Sequence, residues 1–322
     1  MKNTLPVVVF MGSGTFGLPA LRHLAGRADI RLQVVTQPDR PAGRGRADRP
    51  TPVAEYAVSA GHPLKKYPSV NVPEVIDELR SIRMDYLIVC DFGQILKPAL
   101  LALPGAGPYN LHGSILPAYR GAAPIQRGIL DGVAQTGVTL LRVTEKCDAG
   151  PIVSQSTTDV GPDESFGSLH ARLSEMVMPL LKTFLDESLA GRRPREYPQD
   201  DSQATMAPKI KKEELRLDFH EQPDRVHRRI RAFSPEPGAY AFWNQTRLKL
   251  ITATLSATAP TPDKGSTPAG GAVCPTADKR FLAIFCGGGW IFVSDLQPEG
   301  GRILSSRDFL NGHPAFAYAT LT

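Results

Sequence analysis

Residues 6–26 read PVVVFMGSGTFGLPALRHLAG. An apolar run of strand length stops at Gly12, and the turn GSGTFG (12–17) follows. Phe16, Ala20, Leu21 and Leu24 then recur at helical spacing, and the pattern ends at Gly26. A strand that passes through a glycine turn into an amphipathic helix is the opening of a βαβ unit. The turn is also spelled G-x-G-x-x-G, as in dinucleotide-binding proteins, so the rest of the chain has to show which ligand it serves.

The alternation continues outward from this stretch. RLQVVTQ (31–37) is a second strand, stopped by Pro38. NVPEVIDELRSI (71–82) predicts a helix with Asn71 as a cap and Pro73 near its first position. DYLIVCDF (85–92) is a strand apolar enough to be buried on both faces, and GPYNLHGS (107–114) is another. A helix near 124–131 precedes GVTLLRVTE (137–145) and PIVSQSTT (151–158), two strands that fit either the parallel sheet or an antiparallel edge. SLHARLSEMVMPLLKTFLDESLAG (168–191) is a long amphipathic helix. The fold class expected is α/β: a Rossmann-type, doubly wound, mostly parallel sheet. GRRPREYPQDDSQAT (191–205) reads as a linker, which divides the chain into domain 1–190, linker 191–206 and domain 207–322. Beyond it a helix at 224–233 leads into short strands within 239–255, 271–276 and 279–298, separated by glycines, which suggests a small β-barrel or sandwich. Residues 257–271 read as a mobile loop.

Composition agrees with this plan. The 322 residues suit two domains of about 150 each, and 42% hydrophobic with 21% charged residues is an ordinary globular balance. Cys90, Cys147, Cys274 and Cys286 form no C-x-x-C pair and no zinc-ligand spacing, so no metal is expected. Cys90 and Cys286 end apolar runs and read as buried thiols in a reducing compartment. No apolar stretch is long enough for a bilayer, and none has the form of a secretory signal, which points to a cytoplasmic protein; a monomer is expected. The net charge is +5, and residues 207–322 carry most of it, with 15 Lys and Arg against 11 Asp and Glu. That surplus suits a polyanionic partner.

The chemistry concentrates in YNLHGSILPAYRGAAPIQ (109–126). Asn110 and His112 are two apart on a strand, so both side chains leave the same face, just before the strand ends at Gly113. Ligands of open α/β sheets bind beyond the carboxyl ends of the strands. In EKCDAGPIV (145–153), Asp148 precedes a turn able to bring a carboxylate to that edge. An amide, an imidazole and a carboxylate together suit acyl transfer. Asn110 can stabilise an oxyanion, His112 can move a proton, and Asp148 can orient the imidazole. Ser114 lacks the nucleophile-elbow context, so direct attack by a substrate amine is favoured over an acyl-enzyme.

NLHGSILPAYRGAAPIQ together with CDAGPIV closely resembles the formyltransferases that use 10-formyltetrahydrofolate. The resemblance implies Asn110, His112 and Asp148 as catalytic residues. It implies a folate site along Ser114, Ile115, Leu116 and Pro117 and along Phe92, Gly93, Gln94, Ile95 and Leu96. Ile115 departs from the group's S-L-L-P pattern, and Asp91 stands where the group has a small or tyrosine-associated residue. TQPDRPAGRGRADRPTPV (36–53) resembles the corresponding loop of the methionyl-tRNA formyltransferases almost letter for letter, and the likeness continues through IRAFSPEPGAY, LQPEGGRIL and DFLNG. Membership in that family implies a C-terminal OB-like barrel. It also implies formyl transfer to methionine on initiator tRNA, with no metal and no nicotinamide. Arg40, Arg44, Arg46 and Arg49 of the loop are then expected at the end of the tRNA, and Lys209, Lys211 and Lys212 at its phosphates. Arg225, Arg228, Arg229 and Arg231 would line one side of a helix, again toward phosphates.

The opening turn is accordingly read as this chain's version of the family's first glycine turn. A nicotinamide site would want an acidic residue after the second strand, and the only candidate, Asp39, lies past Pro38 inside the arginine loop. Three rival readings remain: a formyltransferase with a small-molecule amine acceptor, a nicotinamide oxidoreductase and a non-catalytic RNA-binding protein. The arginine loop and barrel disfavour the first, and the last would not require Asn110, His112 and Asp148.

Overall fold

The computed structural model describes residues 5–42, 47–258, 260 and 268–322. Arg44, Arg46 and most of the loop expected to be mobile lie outside the described residues. The chain divides into two compact units. The first runs to Pro124 and adds Gln135–Asp159 and His170–Ala207; the second takes Ile125–Ala134, Val160–Leu169 and the chain from Pro208.

The elements follow in the order β1 (Val7–Gly12), α1 (Leu18–Ala25), β2 (Arg31–Thr36), β3 (Arg40–Ala42), β4 (Ala47–Arg49), α2 (Pro52–Ser59), β5 (Leu64–Lys66), α3 (Pro73–Ser81), β6 (Tyr86–Cys90), α4 (Pro98–Leu101) and β7 (Gly107–His112). Then come α5 (Pro124–Asp131), β8 (Gln135–Arg142), β9 (Ile152–Asp159) and α6 (Phe166–Leu189). The main sheet has the order β5-β2-β1-β6-β7-β8-β9. Its first five strands are parallel neighbours, whereas β7–β8 and β8–β9 are antiparallel. The expected doubly wound, mostly parallel sheet is therefore present, with the 137–158 pair as its antiparallel edge.

All six residues of β1 are buried, because the strand is central and covered on both faces. Val7, Val9 and Met11 join Leu87 and Val89 of β6 and Ile76 and Leu79 of α3 in one core. From β1 the chain builds outward to β2 and β5, then returns to the other side for β6 and β7. The switch point thus lies between β1 and β6, where a crevice is expected outside the carboxyl ends of the strands.

Asn71 does not cap α3. The cap position is Val72, and Asn71 instead donates to Ile95 O (2.8 Å) and accepts from Lys97 N (2.9 Å). Pro73 occupies the first turn, which leaves Asn71 one residue too early to reach the helix amides.

The second unit contains α7 (Pro223–Phe233), β10 (Ala239–Trp243), β11 (Thr246–Thr254), β12 (Val273–Pro275), β13 (Leu282–Cys286), β14 (Gly289–Pro298), β15 (Leu304–Ser305) and α8 (Ser306–Gly312). Five strands form an antiparallel path β10-β11-β14-β13-β12, with β15 on β14. The C-terminal residues join its two edges. Phe242 and Thr322 exchange both backbone hydrogen bonds (2.7 and 3.0 Å), while Val273 N donates to Ala319 O (2.9 Å) and Leu321 N to Gly271 O (2.9 Å). The path closes into the expected small barrel, with α7 packed on β11 and β14. Arg231 departs from the expected arginine stripe. It is 7% exposed, on the inward side with Val226 and Ile230, and donates to Gly161 O and Glu164 O.

Candidate active site

β7 delivers Asn110 and His112 to one face near its carboxyl end, as the period-two reading requires. Asp148 arrives on the turn between β8 and β9. Its Oδ1 accepts from Asn110 Nδ2 (3.1 Å), and its Oδ2 accepts from the Gly121 backbone N–H (3.0 Å) and stands 3.7 Å from His112 Nδ1. The three residues singled out from sequence therefore form one cluster, in which the His112 side chain is 5% and the Asp148 side chain 12% exposed.

Hydrogen-bond roles follow from the partners. His112 Nε2 lies 2.9 Å from Tyr119 O, and a carbonyl only accepts, so Nε2 carries a hydrogen. Nδ1 is then the position at which the ring takes up a second proton, and Asp148 is the adjacent charge that supports it. Asn110 has two amide hydrogens. One is spent on Asp148, which aims the other. Cys147 donates its thiol to Asp148 Oδ2 (3.3 Å), and partial enclosure together with the Asp148 charge pushes this thiol up to about 11. It is a proton-bearing donor to the carboxylate, not an activated nucleophile.

The loop after His112 is held from within. Ser114 Oγ donates to Ala118 O (2.7 Å), Thr139 Oγ1 donates to Ser114 O (2.7 Å), and Gln155 Nε2 donates to Leu116 O (2.9 Å). Ser114 and Leu116 are buried, while Ile115 and Pro117 remain partly exposed. In the other segment expected at the folate, Phe92 and Leu96 belong to the core. Gln94 ties the loop to Val70 N (2.9 Å) and Tyr67 O (3.2 Å), Gly93 has φ +75°, and Ile95 is 79% exposed. Phe92, Gln94 and Leu96 thus fix a backbone shape beside the carboxyl end of β6, and the exposed group is Ile95.

The glycine turn is also spent internally. Ser13 N and Gly14 N both donate to Asp91 O (3.0 and 3.3 Å), so these amides do not await a pyrophosphate. Asp91 has φ +48°, and crowding by surrounding protein pushes its carboxyl up to about 6 although part of the side chain meets water.

Of the expected tRNA contacts, Arg40 and Arg49 face each other across the β3–β4 ribbon and are both exposed. Arg40 also reaches Gln37 Oε1. Like charges directly opposite each other are mutually unfavourable and favour an anion between them. Lys209, Lys211 and Lys212 are exposed, and none makes an ion pair among the described residues. Arg228 and Arg229 are paired with Asp224 and Glu221 (3.0 Å for the latter). A cavity of about 780 Å³ lies at the amino ends of β6 and β7, lined by Tyr86, Gly107, Tyr109, Arg142 and Arg193, and contains none of the three clustered residues.

Sequence reasoning missed the groups that hold the cluster: the Tyr119 carbonyl, the Gly121 amide, and Gln199 with Arg120. The backbone groups have no residue signature, and Gln199 sits in the stretch read as a linker.

Residues 7–183 match a family model described as formyl transferase, and residues 209–314 match formyl transferase, C-terminal domain. The methionyl-tRNA formyltransferase of Trichlorobacter lovleyi is 39% identical over 307 residues, covering 95% of this chain and 94% of that protein. That of Methylococcus capsulatus is 39% identical over 310 residues, covering 95% and 96%. Among solved structures, methionyl-tRNA formyltransferase from Clostridium thermocellum has a TM-score of 0.56 at 14% identity, over 78% of this chain and 94% of that one. HypX from Aquifex aeolicus in complex with tetrahydrofolic acid has a TM-score of 0.64 at 16% identity, over 95% and 47%. At such identities the two structures speak to the fold alone.

Proposed function

From the premise that this chain belongs to the family of methionyl-tRNA formyltransferases, we propose that it transfers the formyl group of 10-formyltetrahydrofolate to the amino group of methionine on initiator tRNA. The observation that carries this reading is the cluster of Asn110, His112 and Asp148 at the carboxyl end of β7.

The amine nitrogen attacks the formyl carbon, and the bond from that carbon to the folate nitrogen breaks. Asn110, with one amide hydrogen held by Asp148, offers the other to the oxygen that gains charge; a single such donor contributes about 3–4 kcal/mol. The attacking nitrogen must shed a proton and the folate nitrogen must gain one. His112 takes the amine's proton at Nδ1 while Nε2 stays on Tyr119 O, Asp148 supports the charged ring, and the ring then gives the proton to the departing folate nitrogen. The backbone shaped by residues 92–96 and 114–117 is assigned to the folate. Arg40 and Arg49, with Arg44 and Arg46, are assigned to the aminoacyl end of the tRNA, and Lys209, Lys211 and Lys212 to its phosphates. In this reading the first unit does the chemistry, the barrel positions the RNA, and the enzyme works as a cytoplasmic monomer. No helix among the described residues is long and apolar enough to cross a membrane.

The test is incubation with 10-formyltetrahydrofolate and methionyl initiator tRNA, scored for formylmethionine, with an amino-sugar nucleotide as competing acceptor. His112→Ala should cut formylation by about 10²–10⁴ with tRNA affinity unchanged. An unchanged rate would remove His112 from the mechanism, and preference for the sugar would remove the tRNA.

A further inference from the structure

Gln199 spends its whole side-chain amide inside the protein. Its Nε2 donates to Asp148 O (2.8 Å) and Gly150 O (2.7 Å), and its Oε1 accepts from Arg120 Nε (3.0 Å) and Nη2 (2.8 Å). Arginine only donates, so the orientation of the amide is fixed by its partners. Arg120 is 7% exposed, and its Nη2 also reaches Asp201 Oδ1 (2.8 Å).

The two ends of this amide meet the two backbone segments that hold the cluster. On one side is the Asp148–Gly150 turn. On the other is Arg120, whose chain neighbours Tyr119 and Gly121 hold His112 Nε2 (2.9 Å) and Asp148 Oδ2 (3.0 Å). Asp148 has φ +49°, a left-handed conformation uncommon outside glycine, although Asp adopts it more readily than most residues. Gln199 grips the turn through the carbonyls on both sides of Ala149. Gly150 packs its backbone against the end of β8, where a Cβ would lie 1.9 Å from Arg142 O. The segment carrying Gln199 is itself pinned. Tyr197 and Ile152 exchange backbone hydrogen bonds at 2.8 Å each, Arg120 N donates to Thr205 O (2.9 Å), and Ala207 N donates to Arg120 O (2.7 Å).

We infer that Gln199 is a positioning residue for formyl transfer: it locks the left-handed Asp148 turn against the Tyr119–Gly121 segment so that one carboxylate serves Asn110 and His112 together. The inference rests on the reading of Asp148 as the support of His112. It also assigns work at the site to a stretch whose composition reads as a linker.

The test uses the full chain with Gln199→Met, which removes both ends of the amide, and Gln199→Glu, which keeps an acceptor for Arg120 but loses both donors to the turn. Each should lower kcat about 10²-fold, the order expected for a misplaced catalytic group, with KM for folate and tRNA within about twofold of wild type. In an Asp148→Asn background, adding Gln199→Met should change kcat by less than about threefold, because both act through one carboxylate. Wild-type kcat in either variant, or full additivity with Asp148→Asn, overturns the inference. A merely structural role would lower the melting temperature and leave the two effects additive. A second readout needs no substrate: the Gly121 amide hydrogen, bound to Asp148 Oδ2, should exchange at least about 10-fold faster in folded Gln199→Met or Gln199→Glu protein. Unaltered protection in both also overturns the inference. Should the wild type form no formylmethionine, the functional reading fails while the exchange measurement still decides whether Gln199 holds the turn.

Discussion

Replacing Asp148 by asparagine keeps the side-chain volume and removes the charge. Asp148 Oδ2 lies 3.7 Å from His112 Nδ1 in a setting where the two side chains are 12% and 5% exposed. At an effective dielectric constant of about 20, the attraction between unit charges at that separation is about 4 kcal/mol, or roughly three decades in rate if the imidazolium forms in the transition state. The variant also leaves one carbonyl oxygen where two carboxylate oxygens accept from Asn110 Nδ2 and Gly121 N. If Asn110 turns over to find a new partner, the donor aimed at the oxyanion is lost as well, a further effect of about 10²–10³ that overlaps with the first because the groups act as a unit. Asp148→Asn is therefore expected to lower single-turnover formylation by about 10³–10⁴ at saturating folate and tRNA, with filter-binding affinity for tRNA unchanged. A rate within tenfold of wild type would refute the argument that the carboxylate supports a charged His112.

Three other outcomes follow from the same geometry. Lys209, Lys211 and Lys212 are exposed and carry no ion pair among the described residues, so their triple replacement by alanine should reduce the slope of log affinity against log salt by up to about 2–3 and leave the melting temperature unchanged; an identical slope would take them off the tRNA. The Asp91 carboxyl, crowded by surrounding protein although the residue is exposed, is pushed up to about 6, so its ionisation carries a stability cost that is absent below about pH 4 and full above about pH 6. With a discount for its exposure to water, Asp91→Asn should raise stability at pH 7.5 by about 1 kcal/mol and have little effect at pH 4; denaturant titration at the two pH values checks the sign. A Cβ on Gly14 would lie 1.7 Å from Asp91 Oδ2, the far end of an exposed side chain that can turn away, so Gly14→Ala should cost less than about 1 kcal/mol; a loss above about 2 kcal/mol that Asp91→Ala relieves would mean that the carboxylate is held in place.

The parts of the fold that were legible in sequence are those with a strong period. β1 and α1 follow from an unbroken apolar run and a four-residue helical stripe, and β6 from a run buried on both faces. α2 is as long as α1 but buries only Val53, Ala54 and Ala57, small side chains that make a weak stripe, and β5, with three residues, is too short for a period to emerge. Sequence alternation does not give the direction of β9, but the nine residues between Arg142 and Ile152 are fewer than a parallel crossover needs. Asn110, His112 and Asp148 were legible because side-chain chemistry and strand alternation are written in residue types. Their supports are not: a carbonyl at Tyr119 and an amide at Gly121 could belong to any residue. Gln199 reaches the site from 51 residues beyond Asp148, within a segment whose Pro-rich, charged average conceals one half-buried amide with only internal partners.

The same distinction explains why a dinucleotide spelling stands at the head of this chain. Gly12 and Gly17 of the motif have a steric reason that involves no ligand, whereas Gly14 faces only the far end of the exposed Asp91 side chain. A Cβ on Gly12 would meet the Phe10 ring at 2.6 Å and Cys90 O at 2.8 Å, one on Gly14 would meet Asp91 Oδ2 at 1.7 Å, and one on Gly17 would meet Phe10 at 2.9 Å and Cys90 at 3.0 Å. Gly12 and Gly17 sit against Cys90 at the end of β6 and against the Phe10 ring of β1. The turn has to pass close to the neighbouring strand at the switch point, and glycine is the residue that allows this. In a dinucleotide site the amides so exposed would meet a pyrophosphate; here Ser13 N and Gly14 N are already bound to Asp91 O. Close passage of a turn over a sheet edge is thus sufficient to produce the spelling, and what decides its ligand is where the amide hydrogens go.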